Sequence, residues 1–92
     1  MIKSFSCKHT QQLFEGRCAK QFRAFQAQAE RKLQLLDSAA TVEFLGSPPG
    51  NRLEALKGDR AGYYSLRIND QWRLCFRFKN GDAHAVEIID YH

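Results

Sequence analysis

Arg52-Leu-Glu-Ala-Leu-Lys57-Gly-Asp-Arg60-Ala-Gly-Tyr-Tyr-Ser-Leu-Arg67-Ile-Asn-Asp-Gln-Trp72-Arg73-Leu-Cys-Phe-Arg77-Phe78 is the stretch on which the fold turns. Its β-branched and aromatic runs are punctuated by Gly58, Gly62 and Asn69-Asp70-Gln71, which reads as strands joined by turns. The short run Leu53 to Lys57 alternates, Gly58 to Gly62 is a turn, and Tyr63 to Ile68 and Trp72 to Phe78 are strands. Ala83 to Asp90 is a further strand beyond Asn80-Gly81.

Parity decides the faces. Leu66, Ile68, Trp72, Leu74, Phe76, Phe78, Val86 and Ile88 are even-numbered, whereas Ser65, Arg67, Arg73, Cys75, Arg77 and Glu87 are odd-numbered. Equal parity means one shared face only if each hairpin loop holds an odd number of residues. The expected loops are therefore Asn69 to Gln71, and Lys79 to Gly81 with Gly81 in the left-handed position of a bulged turn. One face is then apolar, and on the other Arg67, Arg73 and Arg77 gather, with Glu87 as their acidic neighbour and Tyr91 on the same side.

Working outward, Phe22, Phe25, Ala29, Leu33 and Leu36 recur at helical steps, so Ala19 to Ala39 reads as one long amphipathic helix. Its other face carries Lys20, Arg23 and Arg31, read first as a solvated surface and second as a contact for RNA phosphates. Before it, Thr10 reads as the N-cap of a short helix, Gln11 to Glu15, stopped by Gly16. Met1 to Ser6 alternates weakly and reads as the first, edge strand of the sheet. Ser38 to Leu45 reads as a helix end plus one further turn, and Ser47 to Asn51 as a loop. The expected fold class is α+β, N-terminal helices on a small antiparallel sheet, with Leu33, Leu36, Leu66, Trp72, Leu74, Phe76, Val86 and Ile88 buried.

The 92 residues suit one domain, 1–92, with one modest core. No apolar run approaches the ~20 residues of a membrane span, and the opening lacks the apolar core of a signal peptide, so a cytoplasmic location is expected. Cys7, Cys18 and Cys75 lack paired spacing, which argues against a disulfide framework and against a zinc site from Cys7 and His9, and reads as three reduced thiols. No metal and no cofactor are expected.

The net charge is +4, unevenly spread. Residues 52–79 hold seven Lys/Arg against three Asp/Glu, while residues 80–92 hold three acids and no Lys/Arg. Clustered arginines repel unless an anion offsets them. One reading is a phosphate held bidentately; the other is a lattice of arginines shielded by their stems and by Asp70, Glu87 and Asp90. RNA supplies its own nucleophile, because a 2′-hydroxyl attacks the adjacent phosphate once a base, an acid and charge stabilisers are placed around it. Candidates for proton transfer are Glu54, Asp90, Tyr91 and His92, and candidates for charge stabilisation are Lys57, Arg67 and Arg73. Arg52, Arg60 and Arg77 complete the candidate RNA-binding set. Cys75, with no histidine beside it, reads as packing.

Leu56-Lys57-Gly58-Asp59-Arg60-Ala61-Gly62, Ser65-Leu-Arg67-Ile-Asn69, Gln71-Trp72-Arg73-Leu-Cys-Phe76 and the closing Asp90-Tyr91-His92 occur in order. The chain resembles the HigB-type killer toxins of the RelE superfamily over essentially its whole length. The resemblance implies a compact RelE-like fold and a toxin that cleaves messenger RNA in the ribosomal A site. It implies a HigA-like helix-turn-helix antitoxin that binds operator DNA. It carries catalytic roles onto Lys57, Arg73, Asp90, Tyr91 and His92. Some members have a histidine three positions before the lysine, where this chain has Glu54. Two other readings come with the superfamily: a non-enzymatic, ParE-like gyrase poison, and an antitoxin-binding co-repressor.

Overall fold

The structure, a computed structural model, describes residues 1–47 and 49–90. Its helices are α1 (Lys8–Phe14), a 3₁₀ helix (Lys20–Phe25), α2 (Gln26–Ser38) and α3 (Val42–Gly46). Its strands are β1 (Glu54–Ala55), β2 (Tyr63–Arg67), β3 (Trp72–Lys79) and β4 (Asp82–Asp90). The strands form one antiparallel sheet in the order β1-β2-β3-β4. The α+β class is as expected.

The apolar face packs on the helices as the parity predicts. Leu33 and Leu36 of α2 meet Leu66, Leu74, Phe76, Val86 and Ile88 in one buried cluster with Phe22, Phe25 and Ala29. Trp72 was expected to be buried and is half-buried instead. It lies at the sheet end, stacked on Phe25 at 5.1 Å and edge-on to Phe22 at 5.9 Å.

The Asn69 to Gln71 turn has the expected register, with Arg67 opposite Arg73 and Leu66 opposite Leu74. Asn69 Oδ1 accepts from the backbone of Gln71 and Trp72, both at 2.8 Å, which fixes the turn.

The second hairpin corrects the expectation. Lys79 pairs with Asp82, so the loop holds only Asn80 and Gly81, whose φ of +54° and +81° suit the two-residue turn that twists with its strands. An even loop alone would turn Val86 and Ile88 outward. Parity is restored farther along: Arg77 faces His84, but Cys75 faces Glu87, so β4 carries one extra residue opposite Phe76. Ala85 sits there with φ +53°. Ala83 lies before the bulge, and Val86 and Ile88 after it; all three are buried. Sequence alone puts the bulge at Gly81, because glycine is the residue that adopts a positive φ most freely.

The N-terminal segment covers the bulge. Ile2 bridges to Ala83 and Phe5 to Val86 in parallel, so residues 1–6 are not the antiparallel first strand that was expected. Ser4 Oγ accepts from Ala85 N at 2.9 Å, and Ser6 Oγ donates to Ala85 O at 3.1 Å. The peptide groups that the bulge takes out of the ladder are thereby satisfied.

Two helix boundaries also differ. Cys7, not Thr10, is the N-cap residue of α1; Thr10 is buried inside the helix, where its Oγ1 accepts from Ile88 N at 3.0 Å. The long helix breaks at Phe25, φ −129°, because Phe22 and Phe25 both turn in to clasp Trp72.

Ala85 tests the bulge. A left-handed residue is tolerable for alanine and severe for a β-branched side chain. Ala85→Val is expected to cost about 1–2 kcal/mol in urea unfolding and Ala85→Gly to cost nothing or stabilise slightly. Equal stabilities would contradict the bulge assignment.

Candidate active site

The outer face of the sheet is not an open lattice of arginines. Arg73 is only 7% exposed, and Ser65 and Cys75 beside it are buried. The cover comes from the loop leading into β1. Asn51, itself buried, donates through Nδ2 to Leu45 O at 3.0 Å and accepts from Lys32 Nζ. Arg52 follows with φ +44°, and its carbonyl accepts from Arg73 Nη2 at 2.5 Å.

Arg73 therefore sits in a built socket. Its Nε donates to Ser65 Oγ at 2.8 Å, and its Nη2 lies 3.2 Å from Glu54 Oε1. Ser65 pairs with Cys75 across the sheet, so it is the diagonal neighbour of Arg73, within reach of a long side chain. Glu54 is about half exposed, so one side of the ion pair is wet.

Arg52, Glu54, Arg67, Asn69, Asp70 and Arg73 line a cleft of about 330 Å³ over this socket. Arg67 pairs with Asp70 at its rim. Of the site residues expected from the sequence, the cleft brings together Arg52, Glu54, Arg67 and Arg73.

The others lie elsewhere. Lys57 precedes the 3₁₀ turn Gly58–Arg60 and is exposed. Arg60 pairs with Glu87 at 3.3 Å and lies over the Tyr63 ring at 5.5 Å, so Glu87 serves Arg60 and not the expected trio. Arg77 shares the face of Arg73 but lies at the far end, opposite Tyr63. Asp90 pairs with Trp72, which places it on the helix side of the sheet by register, and its Oδ2 accepts from Gln71 Nε2 at 3.1 Å. Tyr91 and His92 lie outside the described residues.

Burial pushes the Cys75 thiol up, with Glu87 adding to the effect and Arg60 and Arg73 opposing it. A thiol held protonated is a poor nucleophile, in keeping with the packing role read from the sequence.

The sequence reading missed Ser65, Asn51 and the Arg52 carbonyl. For Ser65 a signal existed: a small hydroxyl of odd parity one strand away from Arg73. For the Arg52 carbonyl none did, because its direction depends on the backbone at one residue.

The family described as RelE-like toxin of type II toxin-antitoxin system HigB matches residues 3–92. Endoribonuclease HigB of Proteus vulgaris is 38% identical over 93 residues, the whole of both chains. Toxin HigB-1 of Vibrio cholerae serotype O1 is 47% identical over 53 residues, 58% of this chain and 56% of its own. Among solved structures, YafQ from E. coli strain BL21(DE3) superposes with a TM-score of 0.61 at 13% identity, covering 94% of this chain and 89% of its own. A chain of the heterotetrameric YoeB-YefM toxin-antitoxin complex from Staphylococcus aureus gives 0.60 at 22% identity, covering 100% of this chain and 95% of its own. The architecture is that of the RelE-like toxins. The chain belongs to the HigB-like toxin family of type II toxin–antitoxin systems, and its partner is accordingly an antitoxin.

The socket itself is testable without activity. Ser65→Ala leaves the Arg73 Nε–H short of its partner and is expected to cost about 1–3 kcal/mol in urea unfolding. Pairing it with Arg73→Met in a double-mutant cycle should show coupling above about 0.5 kcal/mol. Strictly additive effects would separate the two residues.

Proposed function

We propose that this toxin, acting as one domain over 1–92 in the cytoplasm, is an endoribonuclease that cuts messenger RNA in the ribosomal A site. The observation that carries the reading is the socketed Arg73 beside Glu54, in a cleft flanked by Arg52 and Arg67. The Proteus vulgaris relative, similar over the whole of both chains, is named an endoribonuclease, which supports it.

The Glu54 carboxylate occupies the position on Arg73 that a phosphate oxygen would take. It is anionic, planar and held through one oxygen by Arg73 Nη2, and its exposed side lets it give way. A scissile phosphate entering the cleft exchanges with it on Arg73, and Arg67 and Arg52 add charge on the flank. Because Ser65 and the Arg52 carbonyl fix the guanidinium beforehand, little reorganisation is required as charge builds on the phosphate.

Glu54, once displaced, stands beside the bound phosphate as the base for the 2′-hydroxyl. His92 is assigned the acid role toward the leaving 5′-oxygen. Lys57 and Tyr91 are assigned supporting roles in the same transfer, Asp90 a positioning role from the end of β4, and Arg60 and Arg77 contacts to the RNA backbone at the margins of the face. Every step is a proton transfer or charge stabilisation by side chains, so the chemistry runs without a metal and leaves a 2′,3′-cyclic phosphate. A HigA-like helix-turn-helix antitoxin holds the toxin inactive, and operator DNA is reached through that antitoxin.

Primer extension on a translated message tests the assignment. Arg73→Ala is expected to lower cleavage about 10²–10³-fold, by analogy with loss of one oxyanion-hole donor. Deletion of His92 is expected to lower it about 10²–10⁴-fold. Glu54→Gln should give a loss of similar size to the His92 deletion while antitoxin binding persists. Parental cleavage by the His92 deletion would overturn the acid assignment, and a magnesium requirement for the chemical step would overturn the metal-free scheme.

A further inference from the structure

A second groove, of about 730 Å³, runs between α2 and the β2–β3 hairpin. Its walls include Gln28, Arg31 and Lys32 of α2 and Arg67 of β2, over a floor containing Leu35 and Ile68. No carboxylate is among its described lining residues. Arg31 and Lys32 have no carboxylate at ion-pair distance among the described residues. Lys32 is half-buried, and its ammonium donates to the Asn51 side-chain oxygen. Its pKa is lowered by burial first, then by Arg31 and Arg67.

Cations gathered in a concave, acid-poor groove raise one another's cost, and a bound anion offsets it. The glutamine and the apolar floor add what a nucleotide needs beyond its phosphate, a hydrogen-bonding edge and a surface for the base or ribose. Arg67 lines this groove and the Arg73 cleft alike, so the two adjoin. In the sequence Arg31 reads first as part of a solvated helix face; in the fold it lines this groove together with its chain neighbour Lys32.

We propose that the α2 groove is a second phosphate subsite, which takes the RNA backbone adjoining the linkage held by Arg73. The subsite rests on the RNA-cleavage reading above. It makes the toxin grip more than one phosphate of its strand, with Arg67 between the two positions. Affinity and cleavage then depend on the length of the RNA on one side of the cut.

The test uses fluorescence anisotropy with 2′-deoxy-blocked RNA oligonucleotides, a dinucleotide and a longer strand, titrated into the purified toxin over a range of salt. Arg31→Gln removes an exposed charge, and Lys32→Gln replaces the donor to Asn51 with another donor, so thermal unfolding of both is expected to stay near the parent. Arg31→Gln should bind the longer strand about tenfold more weakly and the dinucleotide as the parent does, whereas Lys32→Gln, which also touches the Asn51 loop over Arg73, should weaken the longer strand by more than the dinucleotide. The double variant should lower the salt slope for the longer strand by about 0.7, the value for one lost phosphate contact on single-stranded RNA.

Unchanged affinity for the longer strand, or equal weakening for both lengths, overturns the subsite. So does a loss seen only in antitoxin binding, which would make the groove an antitoxin contact. A parent that cuts message on the ribosome but binds no free strand overturns the groove alone. A parent that neither cuts nor binds overturns the groove and the RNA-cleavage reading together.

Discussion

Arg73 Nε donating to Ser65 Oγ at 2.8 Å, with Nη2 shared between the Arg52 carbonyl and the Glu54 carboxylate, is the constraint from which the outer face of this protein follows. A guanidinium only 7% exposed is costly to bury unless its donors find partners. Each partner comes from a different piece of chain. Ser65 is set by the strand register, Glu54 by the two-residue strand at the sheet edge, and the Arg52 carbonyl by a left-handed residue after the buried Asn51. The helices reach this network too, because Lys32 of α2 holds Asn51. The same connection ties the Arg73 cleft to the groove beside α2.

The opposite face serves the same end by rigidity. Leu74 and Phe76 are fully buried on the strand that carries Arg73, so its backbone cannot shift without opening the core. The bulge at Ala85 keeps Val86 and Ile88 in that core after an even turn, and Ser4 and Ser6 satisfy its peptide groups. A side chain that must meet a developing charge gains from such a mount, since preorganisation removes the cost of moving it later.

Much of this was legible in the sequence because it is periodic. Leu33 and Leu36 at helical spacing, and the even-numbered apolar run from Leu66 to Phe78, gave the layers and the core-facing side. Asn69 and Asn80-Gly81 marked both turns. What escaped the reading was non-periodic. The bulge was inferred to exist from parity, but its position at Ala85 depends on serines some eighty residues away in sequence. The break at Phe25 arises because two rings close on Trp72, a contact that helix propensity does not register. The burial of Arg73 depends on a loop whose path is set by a buried asparagine and one positive φ. Charge clustering put Arg67, Arg73 and Arg77 on one face, as the register has them, but it could not separate Arg77, at the far end, from Arg67 and Arg73 in one row. A half-buried lysine without a nearby acid leaves no sequence signature.

Electrostatically, the site is a pair of cations, each matched by an exposed acid. Glu54 and Asp70 pair with Arg73 and Arg67, and both acids lie toward solvent. That arrangement stabilises the folded toxin without committing its arginines. The most direct measurement is therefore on the guanidinium itself. In a ¹⁵N-labelled sample, the Arg73 Nε–H resonance should be protected from exchange in the free protein. It should stay protected but shift when blocked RNA is titrated in, because Ser65 keeps its hold while the phosphate displaces Glu54. An Arg73 resonance that remains unmoved while RNA binds would contradict the account.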